Sequence, residues 1–229
     1  MTDKTSLPLY AEKIYGWLYN HPERCAWFEK GWVQRLLTFG CNRRLRESLL
    51  REIEAHGKVL QMGVTFGEEI SDVAARVGNY GQFDIMDVNP LQLTLCRQKY
   101  GRRFPTVNFI EHDAAELFQS GGYDVVICYN LLHEVPIVTK SKIVNNALLN
   151  VKDGGKVVFI DYHNPKYLHP LRYFVRMFNR LYQPFAEKLW DREIHSYAEN
   201  KTAFSWRKST YFGRMYQKVV AVKKITPLN

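Results

Sequence analysis

After Gly57 the chain alternates between short apolar runs and stretches of helical periodicity. This β–α alternation is typical of a parallel sheet covered by helices, and it predicts an α/β fold. In such sheets ligands bind beyond the carboxyl ends of the strands. The predicted strands are Lys58–Met62, Gln82–Asp87, Val107–Ile110, Tyr123–Cys128 and Lys156–Asp161.

Two flanking regions complete the predicted architecture. From Leu9 to His56 apolar residues recur at helical spacing, which predicts two or three helices before the sheet. At the other end, Ser209–Phe212 and Met215–Lys223 are joined through Gly213-Arg214, the spacing of an antiparallel hairpin. We therefore interpret residues 1–56 as an N-terminal helical extension and residues 57–229 as the ligand-binding part of one domain.

An amphipathic segment precedes the hairpin. Its apolar side runs from Leu171 to Leu189, and a basic stripe on another side contains Arg172, Arg176 and Arg180. Such a segment, together with the aromatic N-terminal helices, can cover the ligand pocket and meet a membrane surface, or it can pack on its own sheet. The sequence leaves both interpretations open.

The charge balance indicates an anionic partner or surface. The chain has 32 Lys and Arg against 23 Asp and Glu, which is compatible with nucleic acid, an anionic membrane or an acidic substrate. No RNA-binding aromatic motif, zinc finger or dense basic tract is present, so a nucleic-acid partner is not expected.

Cysteine spacing and hydropathy favour a cytoplasmic location. The four cysteines show no metal-ligand spacing, so neither a zinc site nor a disulfide framework is expected. The first residues do not predict a secretory signal, and no apolar run is long enough to cross a bilayer. A peripheral position on the inner face of a membrane stays compatible with these features.

A glycine-containing turn after the first predicted strand indicates a nucleoside site. Gly63 and Gly67 permit close approach to the backbone, and Asp87 follows about twenty residues later, where an acid can bind a ribose diol. Glu68 and Glu69 would repel a pyrophosphate but tolerate a sulfonium, which favours S-adenosylmethionine over a nicotinamide dinucleotide. The alternative is a tight turn followed by a helix-capping aspartate.

Four longer motifs carry a resemblance to known enzymes. They are Leu131-Leu-His-Glu-Val-Pro, Gly154-Gly-Lys-Val-Val-Phe-Ile-Asp-Tyr-His-Asn-Pro, His169-Pro-Leu-Arg and Gln183-Pro-Phe-Ala-Glu-Lys-Leu-Trp. With them the chain resembles the methyltransferase-like enzymes of quinone biosynthesis, and more narrowly the rhodoquinone-biosynthesis family. The resemblance implies a class I methyltransferase (Rossmann-like) fold, with a seven-stranded sheet, a C-terminal antiparallel hairpin and an N-terminal helical extension.

The resemblance also implies a reaction. The family uses S-adenosylmethionine as an amino donor and replaces a methoxy group of ubiquinone, a lipid-soluble quinone, in the presence of manganese. Ordinary methyltransferases have an acidic residue at the position of Gln61 and a glycine at that of Thr65, and Asp113 stands where they recognise adenine. The predicted cofactor-binding residues are Gln61, Gly63, Thr65, Gly67, Asp87, Asp113 and Asn130.

Polar side chains follow the fourth and fifth predicted strands. Mixed imidazoles and carboxylates suit manganese, iron or zinc, and the predicted metal ligands are His133, Glu134, Asp161, His163 and His169. A bound ion would polarise a quinone carbonyl while the amine adds to the ring and methoxide leaves. The predicted catalytic residues are Asp161, Tyr162 and His163. In the alternative interpretation His133 packs beneath the cofactor, and Asp161 and His163 cap the next helix.

Two other functions stay open at this stage. An ordinary methyltransferase acting on a quinone, a lipid or another small molecule shares the fold and the cofactor. A nucleic-acid-binding or RNA-modifying protein would account for the positive charge. The sequence does not specify the oligomeric state.

Overall fold

The computed structural model describes residues 7–118 and 121–225. Its helices are α1 Leu9–Tyr19, α2 Pro22–Phe28, α3 Gly31–Leu37, α4 Asn42–Leu50, α5 Glu69–Val77, α6 Pro90–Tyr100, α7 Ile137–Asn150 and α8 Arg172–Tyr182. Its strands are β1 Lys58–Met62, β2 Gln82–Asp87, β3 Val107–Glu111, β4 Tyr123–Tyr129, β5 Val151–Tyr162, β6 Phe204–Tyr211 and β7 Tyr216–Lys223.

The strands form one seven-stranded sheet in the order β3-β2-β1-β4-β5-β7-β6. Strands β1 to β5 are parallel, and β7 is antiparallel to both β5 and β6. The α/β prediction and the predicted C-terminal hairpin are therefore confirmed. Since β1 pairs with both β2 and β4, the strand order reverses at β1, the position where open sheets bind ligands.

Helices cover both faces of this sheet. On one face Leu49 of α4 and Val73 of α5 pack in the same core as the strand residue Val59. On the other face Val144 of α7 packs in a core with Leu60, the next residue along β1. Successive strand side chains point to opposite faces, so both must be apolar, and each fully buried one contributes about 1.5–3 kcal/mol.

The N-terminal region contains four helices rather than two or three. Helix α2 begins at Pro22 and helix α3 at Gly31. Gly40 precedes α4, and its positive φ of 77° is a conformation that glycine adopts readily. Because Leu45 and Leu49 of α4 are completely buried against the sheet, the described residues before and after Gly57 contribute to a common core.

The amphipathic segment is also interrupted. Helix α8 ends at Tyr182, because Pro184 disfavours helical geometry at Gln183, and a short 3-10 turn follows at Ala186–Leu189. In the part of the chain that the structure describes, no helix is long and apolar enough to cross a membrane.

Candidate active site

A cavity of about 1080 Å³ opens at the carboxyl ends of β1, β2 and β4. Its lining comes from the loop between β1 and α5, from the ends of β2 and β4, and from helices α1 to α3. This volume slightly exceeds the usual range of about 300–1,000 Å³ for small-molecule sites.

The loop between β1 and α5 has the geometry expected of a nucleoside site. Gly63 and Gly67 have φ angles of 90° and 92°, a region that side chains disfavour. Asp87 accepts hydrogen bonds from the amides of Val64 and Asn89, both at 2.7 Å, through different carboxylate oxygens. Each oxygen keeps a lone pair. The carboxylate therefore fits a ribose diol as a bidentate acceptor.

Burial raises the pKa of Asp87 to about 6, against the opposing effect of its backbone hydrogen bonds. Hydroxyl donors from a bound sugar would stabilise the ionised carboxylate further. The side chain lines the cavity, and the binding of a ribose diol by Asp87 stays a prediction.

The other cofactor-binding predictions have different placements. Gln61 is completely buried beneath the loop, whereas Thr65 lines the cavity, and both donate hydrogen bonds to the Glu69 carboxylate, at 2.9 and 2.6 Å. Asn130 lines the cavity at the end of β4, with a left-handed φ of 52°. Its buried Oδ1 has no hydrogen-bond partner.

Asp113 does not line the cavity. Its carboxylate accepts a hydrogen bond from the Ala115 amide at 2.8 Å, which is a local turn contact. Recognition of adenine by Asp113 stays a prediction.

A buried histidine–aspartate pair lies beside the loop between β1 and α5, called here the cofactor loop. Nδ1 of His133 is 2.8 Å from Oδ1 of Asp161, and the His133 amide donates to Oδ2 at 3.2 Å. Burial alone would lower the pKa of His133, but the Asp161 carboxylate raises it above its usual value. Of the two residues only His133 lines the cavity, so Asp161 acts on the cavity through the imidazole.

Glu134 stands next to this pair. Its Oε1 is 3.8 Å from Nε2 of His133 and accepts a hydrogen bond from the hydroxyl of Tyr19. Burial raises the pKa of Glu134 to about 7, although His133 and the Tyr19 hydrogen bond both act to lower it. Near neutral pH this carboxyl can therefore either hold or release a proton.

Tyr162 also lines the cavity, and its ring stacks on His133 with centroids 4.3 Å apart and planes at 21°. Burial raises the pKa of Tyr162 to about 12, so its hydroxyl stays protonated at neutral pH. It can serve as a hydrogen-bond donor, and its catalytic role stays a prediction.

His163 and His169 are directed away from the cavity. Both ring nitrogens of His163 are engaged: Nδ1 lies 3.1 Å from the carbonyl oxygen of Arg214, and Nε2 lies 2.8 Å from Nζ of Lys208. Burial, and then Lys208, lower the pKa of His163. The His169 ring packs against Phe212, with centroids 5.1 Å apart.

The predicted metal ligands are consequently not gathered around one point. Within residues 7–118 and 121–225 no group of three or more His, Cys, Asp or Glu side chains could hold a metal ion. The single ligand set of His133, Glu134, Asp161, His163 and His169 requires correction, because hydrogen bonds to the β6–β7 hairpin hold His163 and ring packing holds His169 elsewhere. The side chains as arranged do not fit a divalent ion.

The N-terminal helices contribute side chains to the cavity that were not among the predicted site residues. Tyr10, Tyr15 and Tyr19 of α1 line the cavity, and Glu29 accepts a hydrogen bond from the Gly67 amide at 2.7 Å. The aromatic spacing of α1 signals an amphipathic helix, but nothing in the sequence links it to Glu134, 115 positions from Tyr19.

Comparison with known proteins adds sequence relatives. Residues 59–155 match the sequence profile of a family described as a methyltransferase domain. The chain is 26% identical over 136 residues to the ubiquinone/menaquinone biosynthesis C-methyltransferase UbiE of Idiomarina loihiensis, covering 57% of this chain and 53% of that protein. It is 24% identical over 119 residues to the hybrid PKS-NRPS synthetase apdA of Emericella nidulans, covering 49% of this chain and 3% of that protein. The chain thus spans about half of the first relative and a small part of the second.

A solved structure is similar over nearly its full length. The crystal structure of a SAM dependent methyltransferase from Aquifex aeolicus has a TM-score of 0.58 at 14% identity, covering 89% of this chain and 98% of that one. The chain therefore has the class I methyltransferase fold, and its residues 59–155 carry the match to the methyltransferase domain.

Proposed function

We propose that this protein is an S-adenosylmethionine-dependent transferase that modifies the ring of a lipid-soluble quinone. The observation that carries the proposal is a single cavity in which a glycine loop with a buried aspartate at the end of β2 adjoins an aromatic compartment and a histidine–aspartate pair. The first part suits a sulfonium nucleoside, and the second suits a flat, apolar ring.

The aromatic compartment favours a ring substrate. Tyr19 stacks on Phe66 of the cofactor loop, with ring centroids 5.8 Å apart and planes at 24°. Tyr162 lies across the cavity beside His133. Aromatic rings prefer offset-stacked or edge-to-face neighbours, and several such faces around one cavity provide that environment for a quinone.

In the narrower form of the proposal, the transferred group is an amine. S-adenosylmethionine supplies the amino nitrogen, which bonds to a ring carbon as the methoxy group leaves, as in the family that the sequence resembles. The bond from this nitrogen to the α-carbon of S-adenosylmethionine then breaks: the quinone ring accepts the electron pair of the α C–H bond, and water hydrolyses the resulting imine to the aminated hydroquinone and a keto acid. Asp161 holds the Nδ1 proton of His133, so that Nε2 can accept the proton that the nitrogen loses as it bonds to the ring carbon. Glu134, with a pKa of about 7, donates a proton to the departing methoxide. The roles of His133 and Glu134 belong to the step in which the nitrogen replaces methoxide on the ring.

Methyl transfer is the second candidate. It is favoured by the match to a C-methyltransferase of ubiquinone and menaquinone biosynthesis. The same cavity would then place the ring against the sulfonium methyl group, and His133 would remove a ring or hydroxyl proton. Only the product distinguishes the two reactions.

Access from a membrane follows from the lipid solubility of the substrate. Exposed apolar side chains of α8, including Phe174, Met177 and Leu181 at 53%, 55% and 68% exposure, are close to the cavity rim, where Trp17 and Tyr182 lie 6.4 Å apart. We infer that this surface, called here the apolar rim, rests on a bilayer and admits the quinone.

Basic residues accompany the apolar rim. Arg176 and Arg180 each lie 3.5 Å from the same carboxylate oxygen of Glu187, so two positive charges face one negative charge. The remaining positive charge favours anionic headgroups over neutral ones.

The decisive experiment incubates the protein with a short-chain ubiquinone and S-adenosylmethionine labelled with heavy nitrogen at the α-amine. Reactions with and without Mn²⁺ run in parallel. Heavy nitrogen in the ring together with loss of a methoxy group supports amine transfer, whereas a gained methyl group supports the second candidate. Binding of S-adenosylmethionine without any change in the quinone would overturn the proposed substrate.

A further inference from the structure

Three polar side chains meet beneath the cofactor loop. Gln61 at the end of β1 and Glu69 in the first turn of α5 are 0% and 2% exposed, and Thr65 lies in the loop between them. The amide of Gln61 and the hydroxyl of Thr65 both donate to Oε2 of Glu69, at 2.9 and 2.6 Å. The two donors thus hold the carboxylate in one orientation.

The second carboxylate oxygen has no partner. Oε1 of Glu69 is buried and makes no hydrogen bond, although Glu69 lines the cavity. The positive charge of Arg46 acts on Glu69, but the Arg46 guanidinium forms ion pairs with Glu68 and Asp72, at 2.8 and 2.9 Å. A buried carboxylate oxygen without a donor is costly, so it requires either a proton or a cationic ligand.

The position of this oxygen indicates which ligand group satisfies it. Asp87 and Glu69 both line the cavity and contact the loop from Gly63 to Gly67 at different residues: Asp87 accepts a hydrogen bond from the Val64 amide, and Glu69 accepts one from the Thr65 hydroxyl. With a sugar at Asp87, the amino-acid end of the same nucleoside could therefore reach Glu69 within this cavity. That end carries an ammonium group, a charged donor that pairs with a carboxylate.

We propose that Glu69 binds the α-ammonium group of S-adenosylmethionine through Oε1, and that Gln61 and Thr65 position Glu69 for this contact. The inference rests on the proposed function and names the residue that recognises the amino-acid end of the nucleoside. It also bears on Gln61, which stands where ordinary methyltransferases have an acidic residue. The neutral side chain at that position does not leave the site without an acid, because Glu69 supplies one from the next helix.

The titration of Glu69 agrees with this assignment. Burial raises its pKa to about 7, against the effect of the Thr65 and Gln61 hydrogen bonds. An ammonium ligand stabilises the ionised form, so binding below neutral pH should release a proton.

Calorimetry with two nucleosides tests the assignment. S-adenosylhomocysteine carries the amino-acid moiety, and 5′-methylthioadenosine lacks it. In Glu69→Gln we expect at least about tenfold weaker binding of the first nucleoside, equal to about 1.4 kcal/mol, and unchanged binding of the second. Asp72→Asn, which removes a negative charge from the same helix without touching Gln61 or Thr65, should leave both affinities within about twofold of wild type.

A double variant that moves the carboxylate from position 69 to position 61 tests whether nucleoside binding is restored. Gln61→Glu combined with Glu69→Gln returns one carboxylate to the cluster and should recover most of the lost affinity. Equal weakening of both nucleosides in Glu69→Gln, or the same loss in Asp72→Asn, would overturn the assignment and leave the proposed function standing. Wild-type protein that binds neither nucleoside would overturn both.

Discussion

His133 and Asp161 form a buried pair in which the imidazole Nδ1 lies 2.8 Å from the carboxylate Oδ1. The side chains are 3% and 1% exposed. The Tyr162 amide also donates to Asp161, at 2.7 Å, which stabilises the negative charge of the carboxylate. This arrangement fixes the Nδ1–H tautomer of a neutral imidazole and leaves Nε2 free to accept a proton at the cavity wall.

The first prediction concerns this pair. In Asp161→Asn the largest effect that opposes burial is removed and only Glu134 still acts against it, so the pKa of His133 should fall below its usual value. If His133 is the general base, turnover should fall by about 100-fold or more. NMR titration of the His133 ring and single-turnover kinetics measure the two effects. His195→Asn, at an exposed histidine, is the control; a lowered His133 pKa with undiminished turnover would contradict the role of base.

The central strands could be predicted from the sequence because both of their faces are buried. Lys58–Met62 and Gln82–Asp87 coincide with the observed β1 and β2, where continuous apolar runs have turn residues at each end. The predicted start of β6 at Ser209 was late, since the strand begins at Phe204. As an edge strand of mostly exposed residues, β6 shows little hydrophobic patterning.

The candidate site was predictable where its residues follow strands of the parallel sheet. Gly63, Asp87 and His133 lie at such strand ends and line the cavity. Contacts between distant segments carry no local signal. The ammonium group of Lys208 in β6 contacts Nε2 of His163, 45 positions earlier. Because of this contact His163, a predicted ligand, packs with the hairpin.

A second prediction follows from the hydrogen bond between Tyr19 and Glu134. The hydroxyl stabilises the ionised carboxylate, so Tyr19→Phe should raise the pKa of Glu134 above about 7. If Glu134 acts as the proton donor, the alkaline limb of the pH–rate profile should move to higher pH. Tyr15→Phe is the matched control, because the buried Tyr15 hydroxyl makes no hydrogen bond. A shift to lower pH, or equal shifts in both variants, would contradict the assigned role.

The third prediction links Glu69 to the stability of the ligand-free protein. Its pKa rises from 4.5 to about 7 on folding, through burial, with Asp72 acting in the same direction and Arg46 opposing it. Between these values the unfolded chain has released a proton that the folded chain retains, so this contribution to the free energy of unfolding falls as pH rises. Above about pH 7 the contribution of Glu69 to the free energy of unfolding no longer changes with pH.

Urea unfolding at pH 5 and pH 8 measures this effect. Between pH 5 and pH 8 the free energy of unfolding of Glu69→Gln should fall less than that of wild type, because the amide does not titrate. Asp72→Asn should keep the wild-type dependence more closely. An identical pH dependence in Glu69→Gln and wild type would show that Glu69 does not contribute to it.

The fourth prediction concerns the apolar rim and its contact with lipid. Wild-type protein should sediment with vesicles containing anionic lipid more than with neutral vesicles, and salt should weaken the association. Met177→Ser with Leu181→Ser should weaken it by at least about tenfold, because each inserted side chain contributes about 1.5–3 kcal/mol when fully buried, and even partial insertion of the two exceeds the roughly 1.4 kcal/mol of a tenfold change. Tyr80→Ser is the control: it removes an aromatic side chain that is 88% exposed, just before β2 at the amino ends of the strands. Equal sedimentation of all three proteins would show that α8 does not insert, and a quinone would then have to reach the cavity without help from this surface.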